Sequence, residues 1–216
     1  MSIISTLLDL FFPPKCVFCA KILDKTDDGW CDKCTESLPF ADDHGRQDGE
    51  VFDFCVSPLY YTGVVRRSIL RYKFRGSSHY ADVYGRFLAD CIRDVPELKY
   101  DIISWVPLSN KRERSRGYDQ AMLLALATAL YLDDVAVETL KKPHDVQAQS
   151  ELGDKIERRA NISGAYETAD FDLIEGKRIL LIDDVVTTCS TLDECARVLL
   201  ASGATGVVCA ALARGE

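Results

Sequence analysis

The chain has 216 residues, 47% hydrophobic and 28% charged, with 26 lysines and arginines against 34 aspartates and glutamates. That length suits one ordinary domain plus a small module, and the composition, without low-complexity tracts or repeats, excludes a fibrous or disordered chain. A net charge of −8 excludes attraction of polyanions by the global field, so a nucleic acid would need a local basic patch.

The first twelve residues place Ile3, Ile4, Leu7, Leu8, Phe11 and Phe12 at helical spacing, which predicts a short amphipathic helix ended by Pro13 and Pro14. The segment has no Lys or Arg and no small-residue cleavage site, so it does not read as a secretory signal. It also lacks the basic face of a membrane-surface anchor. No stretch approaches a membrane span. These features together predict a cytoplasmic protein.

Nine cysteines are an odd count, and without an export signal a disulfide framework is not expected. Cys16-Val-Phe-Cys19 and Cys31-Asp-Lys-Cys34 are two CxxC knuckles separated by eleven residues. Each knuckle can turn two thiolates onto one ion, and two of them supply the closed four-sulfur shell of a structural zinc site. A redox CxxC and an iron–sulfur cluster are the rival readings. Cys55, Cys91, Cys195 and Cys209 lie in apolar contexts and read as small buried hydrophobes.

Residues 41–50 are polar with two glycines and predict a linker or exposed loop; they divide an N-terminal module, 1–50, from a main domain, 51–216. Cys55 to Tyr61 reads as short and extended. The stretch from Gly63 carries Arg66, Arg67, Arg71, Lys73 and Arg75, with Tyr72 and Phe74 interleaved. Basic and aromatic groups in this pattern suit single-stranded DNA, by phosphate contact and base stacking; an amphipathic helix with a basic face accounts for the pattern as well. Val83–Ile92 reads as helix, Asp101–Val106 as strand, Gln120–Tyr131 as helix and Val135–Leu140 as a short strand. Arg178–Ile182 reads as a buried strand, 192–200 as a helix closed by Gly203, and Val207–Leu212 as a strand. Such alternation predicts an α/β fold with a mostly parallel sheet.

The most informative stretch joins that buried strand to the last helix: Asp183-Asp184-Val185-Val186-Thr187-Thr188-Cys189-Ser190-Thr191. The first amides of a helix have no intrahelical partners and sit at the positive end of its dipole, which makes an anion site. The hydroxyls of the loop can donate to phosphate oxygens, and paired carboxylates can accept from sugar hydroxyls. Helix capping alone would need one such residue. Lys111, Arg112, Arg114 and Arg116 follow the strand ending near Val106, and Lys155, Arg158 and Arg159 form a second basic cluster; both suit a pyrophosphate. Glu113 and Glu157 interrupt the runs, so helical pairing on a solvated face is the alternative.

The stretch 183–191 resembles the phosphoribosyl pyrophosphate (PRPP) motif of type I phosphoribosyltransferases. Leu10–Cys16, Arg71–Gly76, Val106–Gln120 and Gly164-Ala165-Tyr166, with Gln149, Leu152, Arg158, Arg159 and Asn161, extend the resemblance to the ComF family over nearly the whole chain. The resemblance implies a phosphoribosyltransferase-type α/β sheet behind a four-cysteine zinc module. It implies Asp183 and Asp184 on the ribose hydroxyls, 187–191 on the 5-phosphate, and Pro107, Leu108, Ser109, Lys111, Arg112, Arg116, Arg158 and Arg159 on the pyrophosphate. Magnesium would bridge ligand oxygens with few direct protein contacts.

Two functions follow from it. One is transfer of a phosphoribosyl group with release of pyrophosphate. The other is non-enzymatic PRPP binding in an accessory protein that handles single-stranded DNA in natural transformation, with a helicase-like partner. Cys189 departs from the motif, where glycine is usual, and a positive φ there would be strained. Its place at a helix start predicts a lowered thiol pKa.

Overall fold

The computed structural model describes residues 13–24, 28–143 and 164–215. Helix α1 (Asp32–Ser37) belongs to the cysteine module, and a 3-10 turn at Asp42–Gly45 leads to strands β1 (Cys55–Val56) and β2 (Leu59–Tyr60). Helices α2 (Gly63–Phe74) and α3 (Tyr80–Arg93) precede strand β3 (Ile102–Trp105), and helices α4 (Asn110–Arg116) and α5 (Gln120–Tyr131) come next. Strands β4 (Leu140–Lys141), β5 (Glu167–Thr168) and β6 (Arg178–Val186), helix α6 (Ser190–Ala201) and strand β7 (Gly206–Arg214) complete the order.

The main sheet has five strands, all paired in parallel. β6 lies between β3 and β7, while β1 and β2 share the outer edge of β7, aligned at Cys55–Cys209 and Leu59–Ala213. The sheet is covered on both faces, which is why β6 and β7 are nearly continuous apolar runs. Alternation splits the core. Leu180, Ile182, Val208, Ala210 and Leu212 pack with α3, α5 and the cysteine module, and Ile179, Leu181, Val207, Cys209 and Ala211 pack with α6. The close crossing of α3 on α5 requires Gly85, where a Cβ would lie 2.7 Å from the Ala127 carbonyl carbon. The parallel α/β sheet expected from the sequence is present.

Two local expectations change. Val135–Leu140 is not a continuous strand: Ala136 makes one bridge to Ile103, and only Leu140–Lys141 forms a ladder, with Glu167–Thr168. The segment 41–50 is largely exposed, but it is pinned: Gln47 bridges to Cys55, and Asp193 Oδ1 accepts the amides of Glu50 and Val51 at 2.8 Å each. Cys55, Cys91, Cys195 and Cys209 are buried, as their apolar contexts suggest. The amphipathic helix expected over residues 1–12 lies outside the described residues. Among the described residues, no helix is long and apolar enough to cross a membrane.

The sulfurs of Cys16, Cys19, Cys31 and Cys34 all lie within 4.8 Å of one another. The separations Cys16–Cys34 and Cys19–Cys31 are both 3.7 Å. A tetrahedron of Zn–S bonds near 2.3 Å has an edge of about 3.8 Å, so the quartet fits zinc without rearrangement. The module shares the main core: Phe18 packs edge-on against Phe87 at 5.6 Å, and Cys16, Phe18 and Cys34 join Val65, Ile69 and Tyr84 in one buried cluster. Loss of the metal should therefore weaken the whole fold. We expect one zinc per chain by metal analysis, and a lower thermal midpoint for Cys31→Ser in a single transition. Each kcal/mol lost corresponds to about 2–4 °C in a chain of this size; a second, separate transition for the module would contradict the shared core.

Candidate functional site

β3 pairs with β6 only as far as Trp105 opposite Ile182, and the Val106 amide closes the ladder on the Ile182 carbonyl at 3.0 Å. β6 runs on for four more residues, paired only with β7. The vacated edge opens a cleft of about 220 Å³ at the carboxyl end of the parallel strands, where ligands bind in folds of this kind. Within β6, alternation sends Asp184 to the α5 face and Asp183 to the α6 face, and with β3 gone both line the cleft. The Asp184 amide, without a strand partner here, donates to Asp183 Oδ1 at 2.7 Å.

Asp183 is half-buried, and Asp184 is buried. Desolvation, and then the charge of Asp184, push the Asp183 carboxyl up to about 8, against the pull of the Lys73 ammonium and the Asp184 amide. Lys73 Nζ lies 2.8 Å from Asp184 Oδ1. Burial works against the charged lysine, but the Asp184 carboxylate outweighs it and holds the ammonium above the ordinary lysine value.

Beyond Val186 the chain turns into α6 and forms a cup lined by Asp183 and residues 185–192. The first helical hydrogen bond runs from the Asp193 amide to the Cys189 carbonyl at 2.9 Å, so the amides of 190–192 precede the ladder at the positive end of the helix. Thr188 Oγ1 and Ser190 Oγ lie 3.1 Å apart at this rim. Cys189 has φ 58° and ψ −11°, the left-handed backbone expected for a position that usually holds glycine. Its thiol departs from expectation. Half-burial, and then Asp193, raise its pKa, and Arg214 offsets only part. Removal from water outweighs the helix dipole at this rim.

The loop after β3 forms the opposite side. Pro107, Leu108 and Ser109 line the cleft with Arg112 and Arg116, one helical turn apart on α4. Lys111, one residue out of phase, lines a separate open cavity with Arg114. Asp119 was not singled out from the sequence, though an Asp directly before a helix is a capping signal. Its carboxylate accepts the Met122 amide at 3.0 Å and the Leu108 amide at 2.8 Å, fixing this loop to the start of α5. Arg158 and Arg159 lie outside the described residues.

The five basic residues assigned to DNA do not act together. Arg66, Arg67 and Arg75 are exposed. Arg71 Nη2 instead donates to the Val17 and Phe18 carbonyls at 2.8 and 2.7 Å, and Lys73 enters the cleft. Helical phase separates them: 71 and 73 fall beside the buried side of α2, next to Tyr72.

Comparisons with known proteins agree with this architecture. A double zinc ribbon domain model matches residues 7–46, and a phosphoribosyl transferase domain model matches residues 121–216. Competence protein F of Haemophilus influenzae is 28% identical over 94% of this chain and 98% of its own length. Competence protein ComFC of Bacillus subtilis is 29% identical over 66% of this chain and 56% of its own. The DNA utilization protein YhgH of Escherichia coli is 29% identical, covering 89% and 86%. A four-cysteine ribbon packed on a phosphoribosyltransferase-type sheet, with relatives matched along both parts, makes the chain similar to competence protein F and its relatives over nearly its whole length.

Proposed function

We propose that the cleft binds PRPP with magnesium, the cup at 187–191 taking the 5-phosphate, Asp183 and Asp184 the ribose hydroxyls, and Pro107–Ser109 with Arg112 and Arg116 the pyrophosphate. The observation that carries this is a cleft lined by two carboxylates and a pair of arginines, adjoining a cup at the start of α6 that shares Asp183, Val185 and Thr191 with it. Arg158, Arg159 and Lys111 are further candidates for the pyrophosphate. The donor set fits a magnesium ion held mainly by ligand oxygens, since hard carboxylate oxygens are its preferred neighbours. Bound there, the ion would offset pyrophosphate charge. Zinc, PRPP and reduced thiols together favour a cytoplasmic setting.

In transfer, an acceptor's lone pair would form a bond to the anomeric carbon as the carbon–oxygen bond to pyrophosphate breaks. The electron pair leaves with pyrophosphate, and the acceptor proton passes to solvent. The two carboxylates face the ring as positive charge develops on it, and the guanidinium groups face the departing anion, which is stabilisation by fixed charge. The same geometry serves a protein that binds PRPP without turnover, and magnesium-dependent release of pyrophosphate separates the two.

One observation favours a DNA-binding role beside it. Arg66, Arg67 and Arg75 are exposed on α2, and Phe74 is 62% exposed among them. The relatives are named for competence and DNA utilization, and a helicase-like partner belongs to this reading.

Calorimetric titration should give saturable magnesium–PRPP binding, weakened at least tenfold, about 1.4 kcal/mol, by Asp183→Asn/Asp184→Asn. Asp183 titrates near 8 rather than 3.8, so at pH 7 it holds a proton that the ligand should displace. Binding in buffers of differing ionisation enthalpy should release up to about one proton, and affinity should rise from about pH 6 to 8. For the free protein the sign is opposite: the fold binds a proton that the unfolded chain lacks between these values, so stability from this group is lost as pH rises through 8. Cys189→Gly should relieve left-handed strain of roughly 1–2 kcal/mol, less the entropy glycine loses, and should leave PRPP affinity equal or tighter. Arg66→Ala/Arg67→Ala/Arg75→Ala should weaken single-stranded oligonucleotide binding and reduce its salt slope by about 0.7 per lost contact, with PRPP binding unchanged.

A further inference from the structure

α2 meets three parts of the molecule through polar side chains. Toward the cysteine module, Arg71 donates to the Val17 and Phe18 carbonyls, and the Ser68 hydroxyl donates to Val17 as well. These carbonyls belong to the turn between Cys16 and Cys19. Toward α5, Tyr72 Oη donates to the Gln120 carbonyl at 2.7 Å, and Tyr118 donates back to the Tyr72 carbonyl. Toward the cleft, Lys73 reaches Asp184 Oδ1 at 2.8 Å, with side chains only 19% and 10% exposed. Four polar anchors within six residues, Ser68, Arg71, Tyr72 and Lys73, fix both the rotation of the helix and its advance along its axis.

The ion pair answers an electrostatic need. Two adjacent carboxylates in a desolvated cleft cannot both ionise easily. A lysine fixed 2.8 Å from one of them sets a compensating positive charge beside the pair. Attraction between groups this buried is screened far less than at a surface. We propose that Lys73 is a positioning residue of the site, holding the Asp184 side chain aimed into the cleft, and that the zinc module sets its reach through Arg71 and Ser68 of the same helix.

This rests on the PRPP reading, and the roles are separable. Lys73 acts at the ribose through Asp184; Arg112 and Arg116 already offer cations to the pyrophosphate. The test is calorimetric titration of the full, zinc-loaded chain with magnesium–PRPP and, separately, magnesium–pyrophosphate. Lys73→Met should weaken PRPP about tenfold and leave pyrophosphate within about twofold, with Lys73→Arg restoring most of the loss. In an Asp184→Asn background, Lys73→Met should add less than about twofold, since residues acting as one unit are not additive. Arg71→Gln, with zinc content unchanged, should weaken PRPP several-fold although it lies outside the cleft. If Lys73→Met does not fold, Lys73→Gln, which keeps a donor toward Asp184, takes its place. Equal losses for PRPP and pyrophosphate would make Lys73 a direct anion contact and overturn the proposal. Full additivity with Asp184→Asn, or unchanged affinity in Lys73→Met, would overturn it too. An unchanged Arg71→Gln would overturn the link to the zinc module. No PRPP binding by the unsubstituted chain would overturn the PRPP reading, and this inference with it.

Discussion

The site exists because β6 outruns β3. Where the ladder stops at Trp105 and Ile182, four residues of β6 lose a neighbour on one side while β7 holds them on the other. A parallel strand cannot normally show both faces to one space, because its side chains alternate. Removing the neighbour solves this: Asp183 and Asp184 reach a common cleft around an edge that a paired strand would have closed. The same event leaves a backbone amide without a ladder partner, and Asp183 takes it. Asp183 is therefore anchored by the amide of the residue that follows it.

Around that edge the charges are arranged in sequence. The cup at the start of α6 meets the cleft at Asp183, Val185 and Thr191, and Asp184, Arg112 and Arg116 line the cleft beside them. The PRPP proposed above, with anions at both ends and hydroxyls between, has a counterpart for each of its parts in these groups. The zinc module belongs to this arrangement through packing and polar contact. Its knuckle carbonyls receive Arg71, and its aromatic Phe18 joins the core beneath α3. A structural metal placed here would stiffen the helix that carries Lys73.

Much of this was legible in the sequence where the information is local. Two CxxC turns carry their chemistry in their spacing, and an apolar run followed by two acids and a hydroxyl loop states its own geometry. The adjacent acids line the cleft, and the loop of 185–191 lines the neighbouring cup. What local pattern could not express is phase against distant elements. Lys73 and Arg71 read as members of one basic stripe, since nothing nearby in the chain says that Tyr72 turns inward and carries its neighbours toward the sheet and the ribbon. Lys111 and Arg112 are adjacent in sequence but face different cavities for the same reason. Asp119 went unread as a cap, and its second bond, to Leu108, depends on a loop eleven residues away folding back. The thiol of Cys189 was misjudged because the helix dipole is a local rule and burial is not.

Cys189 also bears on how the cup is held. A left-handed backbone is unfavourable for a residue with a Cβ, and such conformations persist only where the surroundings over-determine them. Here the side chain packs against the cluster under α6, alongside Leu192 and Cys195, and apolar burial of a small thiol offsets some of the strain. Asp193 fixes the same turn from behind by holding the amides of Glu50 and Val51. The cup is thus shaped by contacts outside it. For the phosphate proposed to bind there, a loop held in this way would lose little conformational entropy on binding. The strain at one residue and the pinning of a distant polar segment both bear on the shape of that turn.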